Sequence, residues 1–100
     1  MSTHARAQAP TQILFPLGAL VATPGALARL AEVGATALQL IARHGRGDWG
    51  ELSPEDRQAN AAALKNGWRI LSAYRIQAVR FWVITEADRS VTTVLLPEEY

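Results

Sequence analysis

The sequence predicts an α+β domain in which a short N-terminal strand or extended segment and three short helices precede a three-stranded antiparallel β-meander. Two observations support this prediction. At residues 23–24 and 53–54, a Thr or Ser that can cap a helix is followed by Pro, which favours a helix start. From residue 68 onward, apolar residues recur at every second position, which is the period of a strand.

The first half of the chain predicts an extended segment at residues 12–15 and then helices at residues 23–34, 36–45 and 53–66. Thr23, Thr36 and Ser53 are the expected N-caps, because a hydroxyl accepts from the free N–H groups of a first turn. The helices end at glycines, which adopt the left-handed conformation of a C-terminal cap without steric cost.

The second half predicts strands at residues 68–76, 79–85 and 91–96. Their connections are short, so we expect neighbouring strands to run antiparallel. Both faces of this sheet are substantially apolar. One face should pack on the helices, and we expect the other to be covered by a partner, by the N-terminal segment, or by Trp82 and its neighbours.

The composition of the chain limits the number of domains and the classes of function that it can have. The 100 residues, 49% of them hydrophobic, predict one domain at residues 11–100 after a disordered lead-in at residues 1–10. Ten basic and nine acidic residues nearly cancel, so no attraction of the whole chain to nucleic acid or lipid is expected. The absence of cysteine excludes disulfides and thiolate nucleophiles. We expect a cytoplasmic protein without a membrane span, a metal or a cofactor.

The glycine-rich run at residues 44–50 is the first candidate site. Its glycines allow a ligand to approach the backbone, while His44 offers a general acid or base, Arg46 a phosphate contact and Asp48 an orienting carboxylate. The alternative is a tight helix exit that Asp48 and Trp49 fix by hydrogen bonding and burial.

The hairpin at residues 85–93 is the second candidate. Arg89 is placed to hold a phosphate and Thr92 to donate to a developing oxyanion. Tyr74 and Arg75, on the first strand of the meander, are candidate substrate-binding residues within sheet distance of the hairpin. The alternatives are a solvated loop with Asp–Arg pairing and an exposed strand face that uses Arg for solubility.

The runs at residues 47–50, 71–74, 84–93 and 95–100 (GDWG, LSAY, ITEADRSVTT and LLPEEY) resemble a family of small proteobacterial proteins carried on plasmids, integrative elements and prophages. The resemblance implies a mobile-element context and no established activity. Where that family has a longer turn of the Pro-Asp-Gly type, this chain has only residues 76–79. The layout is also distantly similar to the barnase, colicin and RelE-like ribonuclease toxins, which cut RNA without a metal.

Three functions follow as hypotheses. The first is a metal-independent RNA-cleaving domain, in which His44, Arg89, Asp48 and Thr92 converge on one site. The second is a protein-binding module without catalysis, such as an inhibitor of a host defence system, with a homodimer through an apolar sheet face as one form. The third is a helix-turn-helix DNA-binding regulator built from the first two helices, although the second offers only Gln39 and Arg43 as outward polar contacts.

Overall fold

The structure, a computed structural model, describes residues 12–100; the predicted lead-in at residues 1–10 lies outside this range. The elements follow one another as β1 (Ala19–Ala22), α1 (Pro24–Val33), α2 (Ala37–Gly45), α3 (Pro54–Asn66), β2 (Ile70–Ile76), β3 (Val79–Thr85) and β4 (Val91–Leu95), and a 3-10 turn at Pro97–Glu99 comes last. The predicted α+β class and the three helices are confirmed.

The sheet differs from the prediction. Its strand order is β1-β4-β3-β2, and β2, β3 and β4 form the expected antiparallel meander. A fourth strand, β1, pairs parallel to β4, with Ala19 opposite Val91 and Ala22 opposite Val94. The strictly antiparallel three-stranded sheet was therefore wrong, and the extended segment at residues 12–15 was placed too early. The four residues of β1, ALVA, show no alternation of apolar and polar side chains that would predict a strand. They form a strand because they pair with β4, which is distant in the sequence.

The helix starts follow the capping residues as predicted. Thr23 Oγ1 accepts from Ala26 N at 3.0 Å, and Ser53 Oγ accepts from Asp56 N at 3.1 Å. Thr36 and Gln39 form a capping box, in which each side chain accepts from the backbone N–H of the other residue. These bonds satisfy backbone donors that a helix leaves free at its first turn.

The core lies between the sheet and the first two helices. Leu30 of α1 and Leu40 and Ile41 of α2 pack against buried residues of the three meander strands, namely Tyr74, Phe81, Val83 and Val94. A fully buried Leu, Ile or Phe side chain contributes about 1.5–3 kcal/mol of transfer free energy, so this layer stabilises the fold most. Helix α3 contacts β2, and its Ala63 packs with Phe15 and Ile70 in a second, smaller cluster.

Helix α3 and the loop before it also close the outer edge of β2. The Asn60 side chain donates to Leu71 O at 2.7 Å and accepts from Leu71 N at 3.2 Å, so it replaces a neighbouring strand. Two residues along, Ala73 N donates to Trp49 O and Ala73 O accepts from Glu51 N. These contacts pair backbone groups that a bare edge strand leaves open.

The β2–β3 hairpin turns through two residues, Gln77 and Ala78, which both have positive φ (50° and 71°). Ile76 lies opposite Val79, so the register is that of a two-residue turn of the I′ type. This turn usually contains Asn or Gly, because a left-handed conformation costs other residues about 1 kcal/mol each. The chain thus closes a tight hairpin through two residues that seldom adopt this conformation.

Candidate functional site

His44 lies in the last turn of α2 and points into the core against the sheet. Its side chain is fully buried, at 0% exposure. Nδ1 lies 2.6 Å from Ser72 Oγ on β2, and Nε2 lies 2.9 Å from Thr85 Oγ1 on β3. Phe15 and Trp49 pack edge-on against the imidazole, at centroid distances of 5.3 and 5.9 Å. Both ring nitrogens are therefore occupied by protein hydroxyls inside an aromatic enclosure.

The hydrogen bonds of His44 continue across the sheet. Thr85 Oγ1 lies 2.7 Å from Thr92 Oγ1, and Thr92 Oγ1 donates to Leu17 O at 2.7 Å. Since a carbonyl only accepts, the single hydroxyl proton of Thr92 belongs to that last bond. Thr85 then donates to Thr92 and accepts from His44 Nε2–H.

This proton count fixes the tautomer of His44. With Nε2 protonated, Nδ1 is an acceptor, and the Ser72 hydroxyl donates a hydrogen bond to it. The reverse tautomer would require Thr85 to donate to Nε2 and Thr92 to donate to Thr85, which leaves Leu17 O without a hydrogen-bond donor. Every buried side-chain N or O atom in residues 12–100 has a partner in this arrangement.

Burial lowers the pKa of His44 from its ordinary 6.5 to about 4, because the charged imidazolium loses its hydration in the core. The ring is neutral at pH 7. A general acid or base must reach the substrate within hydrogen-bond distance, and this ring has no free nitrogen and no exposed surface. The catalytic role of His44 stays a prediction, and it requires the side chain to leave its enclosure.

Asp48 holds the loop after α2 and does not contact His44. Its Oδ2 accepts from Arg43 Nε at 2.7 Å, its Oδ1 accepts from Gly50 N at 3.2 Å, and its carbonyl accepts from Tyr74 Oη at 2.6 Å. The hydrogen bond from Arg43 lowers the pKa of the Asp48 carboxyl. The structure thus has the geometry of the alternative interpretation, a helix exit fixed by hydrogen bonds. Arg46 is exposed beside it, with no ion pair to any other described residue.

Tyr74 is part of the core. Its side chain is 2% exposed, and the Arg43 guanidinium lies 4.3 Å from the ring centroid. Burial raises the pKa of Tyr74 to about 12. Arg75, the next residue, points to the other side of the sheet and pairs with Glu51 at 3.3 Å. The two predicted substrate-binding residues therefore lie on opposite faces, as alternation along a strand requires.

Arg89 connects three parts of the chain. Its guanidinium donates to the carbonyls of Trp68 (2.7 Å), Ala63 (3.1 Å), Glu86 (3.2 Å) and Ala87 (3.3 Å). It thereby caps the end of α3 and ties it to the β3–β4 loop. These bonds use Nη1 and Nη2 of the five-donor guanidinium, and the role of Arg89 as a phosphate clamp stays a prediction. Asp88 does not pair with Arg89; its Oδ1 accepts from Ser90 N at 3.0 Å.

Four residues were expected to converge. Of these, the structure connects only His44 and Thr92, and Thr85 lies between them as the bridging hydroxyl. Arg89 is separated from His44 by the Phe15 ring, which lies 5.7 Å from the guanidinium carbon and 5.3 Å from the imidazole centroid. Sequence reasoning missed Ser72, and it gave Thr85, the first residue of the candidate hairpin, no role of its own. The available signal was a hydroxyl at a position where strand alternation directs the side chain into the core.

The opposite side of the sheet, which we call the open face, is turned away from α1 and α2. It consists of the side chains that point away from α1 and α2, namely Leu71, Ala73, Arg75, Arg80, Trp82, Ile84, Val91, Thr93 and Leu95. Tyr100 packs on it, with its ring 5.5 Å from the Trp82 ring and 5.6 Å from the Arg69 guanidinium carbon. Neither α1 nor α2 packs on this face, yet its side chains are partly covered: Ala73, Ile84 and Leu95 are buried (7%, 5% and 7% exposed), and Leu71, Trp82 and Val91 are half-buried.

Charge on the open face is arranged around an apolar centre. Arg69 pairs with Glu86 at 3.6 Å and Arg75 with Glu51 at 3.3 Å, both at the periphery. Arg80 lies directly opposite Arg75 in the β2–β3 register and has no ion pair within the described chain. A groove of about 420 Å³ runs beside it, between Arg29 and Arg80 and over Leu96 and Pro97.

Comparison of the chain with known protein families, with curated proteins and with solved structures gives no match. Residues 12–100 contain no cluster of three or more His, Cys, Asp or Glu placed to hold a metal ion. In the same range no single helix has the length and apolarity to cross a membrane; the pair Pro24–Val33 and Ala37–Gly45, bent by 99°, meets those two criteria only when taken together.

Proposed function

We propose that this chain is a protein-binding module without catalysis, which docks a partner protein on the open face of its sheet. The observation that carries the proposal is an apolar sheet face turned away from α1 and α2, on which Leu71, Trp82 and Val91 are only half-buried although Ala73, Ile84 and Leu95 are buried. A sheet in a two-layer domain buries one face against its helices, and an apolar second face normally requires another layer or a partner.

The residue types of the open face suit a protein partner. Trp, Tyr and Arg are enriched in protein interfaces and supply most of their binding energy. Here Trp82 and Tyr100 contact each other at the centre, and the Tyr100 side chain is 65% exposed. Leu71 and Val91 extend the apolar surface across neighbouring strands.

Arg80 indicates the chemistry of the partner. Two guanidinium groups directly opposite each other repel, and Arg75 has Glu51 as its counter-ion while Arg80 has none among the described residues. The groove beside Arg80 is lined by Leu96 and Pro97 and also by Glu98, which forms no ion pair with Arg80. A partner with an acidic side chain at Arg80 and apolar side chains over Trp82 would supply the counter-ion of Arg80 and cover the apolar surface around Trp82.

The size of the face favours a transient complex. Four strands spaced about 4.8 Å apart, each about six residues long at 3.3 Å per residue, give a face of roughly 20 by 20 Å. Stable interfaces bury about 800 Å² on each partner, so the area of this face and its rim lies at the lower end of the range of interface sizes. In the mobile-element setting that the resemblance implies, we expect the partner to belong to a host defence system.

Two observations argue against the helix-turn-helix and RNA-cleaving alternatives. Gln39 caps its own helix and Arg43 pairs with Asp48, so the polar side chains that a recognition helix would offer are already bonded. Both ring nitrogens of His44, the predicted general acid or base, are bonded inside its enclosure, and Arg89 already donates to four carbonyls. Both activities stay predictions, and the experiments below include them as outcomes.

The docking surface is tested by site-specific photocrosslinking in the native host. Trp82 is replaced by benzoylphenylalanine, which keeps an aromatic side chain at the centre of the open face. Leu38, 66% exposed on α2, is the matched position on the helix side. We expect a discrete protein adduct from position 82, none from position 38, and loss of the adduct when Arg80→Glu is added.

Other outcomes would contradict the proposal. An RNA adduct at position 82, or equal adducts at both positions, would remove the open face as a protein-docking surface. RNA cleavage by the purified wild-type chain that is lost in a folded Thr92→Val variant would restore the catalytic hypothesis. Far-ultraviolet circular dichroism of each variant distinguishes a lost contact from a lost fold.

A further inference from the structure

Strand β1 leaves one of its edges open. Ala19 N donates to Ser90 O and Thr23 N donates to Val94 O, each at 3.0 Å, so these residues direct their backbone toward β4. Because backbone direction alternates along a strand, Leu20 and Ala22 direct their N–H and C=O groups the other way. No group within residues 12–100 pairs with them.

The other edge of the same sheet is closed. Asn60 pairs with the backbone of Leu71, and the segment from Trp49 to Glu51 pairs with Ala73. Open edges are normally protected by shortness, charges, proline or a covering segment; in the described chain the only one of these that β1 has is its length of four residues. Its Leu20 and Val21 side chains are 46% and 45% exposed.

We propose that β1 pairs antiparallel with β1 of a second copy of this chain, so that two four-stranded sheets become one continuous sheet. The proposal rests on this edge and does not depend on the partner of the open face. A strand without charge is complementary to itself, whereas an acidic or basic peptide would find no counter-ion on β1. Because the β2 edge is closed, association ends at a dimer and does not continue into a fibre.

The backbone geometry also fixes the register. Gly18 has a φ of 68° and leaves the strand conformation, whereas Thr23 is still extended with φ −70° and ψ 154°. The extended stretch therefore runs from Ala19 to Thr23 and is centred on Val21. Placing the two-fold axis at Val21 sets Leu20 opposite Ala22 of the other copy and forms about four new backbone hydrogen bonds.

The pairing buries apolar side chains on both sides of the joined sheet. Leu20 points to the helix side, where Leu27 in the first turn of α1 is 51% exposed. Val21 points to the open face and meets its counterpart at the axis. The two open faces then lie side by side, which gives the dimer two docking surfaces for one extended or dimeric partner.

A cysteine test exploits the register, because the natural chain has no cysteine. The Val21→Cys variant places two thiols opposite each other in a non-hydrogen-bonded pair, with Cα atoms about 4.5 Å apart, which a disulfide can bridge. The Leu20→Cys variant has equal exposure, yet its two copies are offset by two residues and lie about 8 Å apart. Under mild oxidation we expect Val21→Cys to form covalent dimers at least about tenfold faster.

Sedimentation equilibrium of the wild-type chain provides the second measurement. We expect a reversible dimer, a monomer for Val21→Lys because a charge is placed at the axis, and an unchanged dimer for Leu38→Lys, a control on α2 that is even more exposed (66% against 45%). Equal oxidation rates of the two cysteine variants would refute the register. A wild-type chain that stays monomeric at about 1 mM, or equal effects of both Lys substitutions, would refute the dimer.

Discussion

His44 makes the stability of the fold depend on pH, and the size of the effect follows from its burial. The folded protein holds His44 neutral with a pKa of about 4, while in the unfolded chain the same side chain has its ordinary pKa of 6.5. Between these values the unfolded chain binds more protons than the folded protein. Stability contributed by His44 is therefore complete above pH 6.5 and is lost as the pH falls toward 4.

The two pKa values give the magnitude. Linkage predicts a loss of about 2 kcal/mol between pH 7 and pH 5, and of about 3 kcal/mol once the pH is below 4. The carboxyls of Asp48, Asp88 and Glu99 have pKa values lowered from ordinary values of 3.8 to 4.5, so they stay ionised in the folded protein at pH 5. His44 thus dominates this interval among the described residues.

Urea unfolding followed by tryptophan fluorescence at pH 7 and pH 5 measures the effect, with wild type beside His44→Gln. Gln retains an N–H for Thr85 but does not titrate, so we expect a variant that is less stable at pH 7 and nearly independent of pH down to 5. Both chains contain His4, so any contribution of His4 cancels when the two pH dependences are compared. A wild-type loss below about 0.5 kcal/mol, or equal losses in both chains, would refute the buried neutral histidine.

Three further predictions concern stability. Arg89→Lys should lose about 1–2 kcal/mol by urea unfolding, since one ammonium cannot reach all four carbonyls, and an unchanged midpoint would show that the bonds are not formed in solution. Ala78→Gly should gain about 0.5–1 kcal/mol, because glycine adopts a φ of 71° without strain; a loss in the melting temperature would contradict the hairpin geometry. Asn60→Ala should lose about 1–3 kcal/mol and expose the β2 edge, with oligomers beyond the dimer in sedimentation runs, whereas an unchanged size distribution would contradict its role as an edge cap.

The candidate site shows how far sequence reasoning extends. The hydroxyls of Thr23, Thr36 and Ser53 predicted helix starts correctly, because capping is a bond between residues three apart. The same reasoning selected His44 and Arg89 as reactive side chains in polar loops. The structure shows that both are bonded within the fold, His44 to two strands and Arg89 to the end of α3.

The sequence by itself determined the α+β class, the three helices and the two faces of the meander, since these depend on residues close together in the chain. Only the tertiary structure decided that β1 joins β4, that His44 is enclosed by Phe15 and Trp49, and that the Asn60 side chain closes one edge of the sheet while no group of residues 12–100 closes the β1 edge. These features depend on contacts between distant parts of the chain, and a local pattern contains no information about which distant groups will meet.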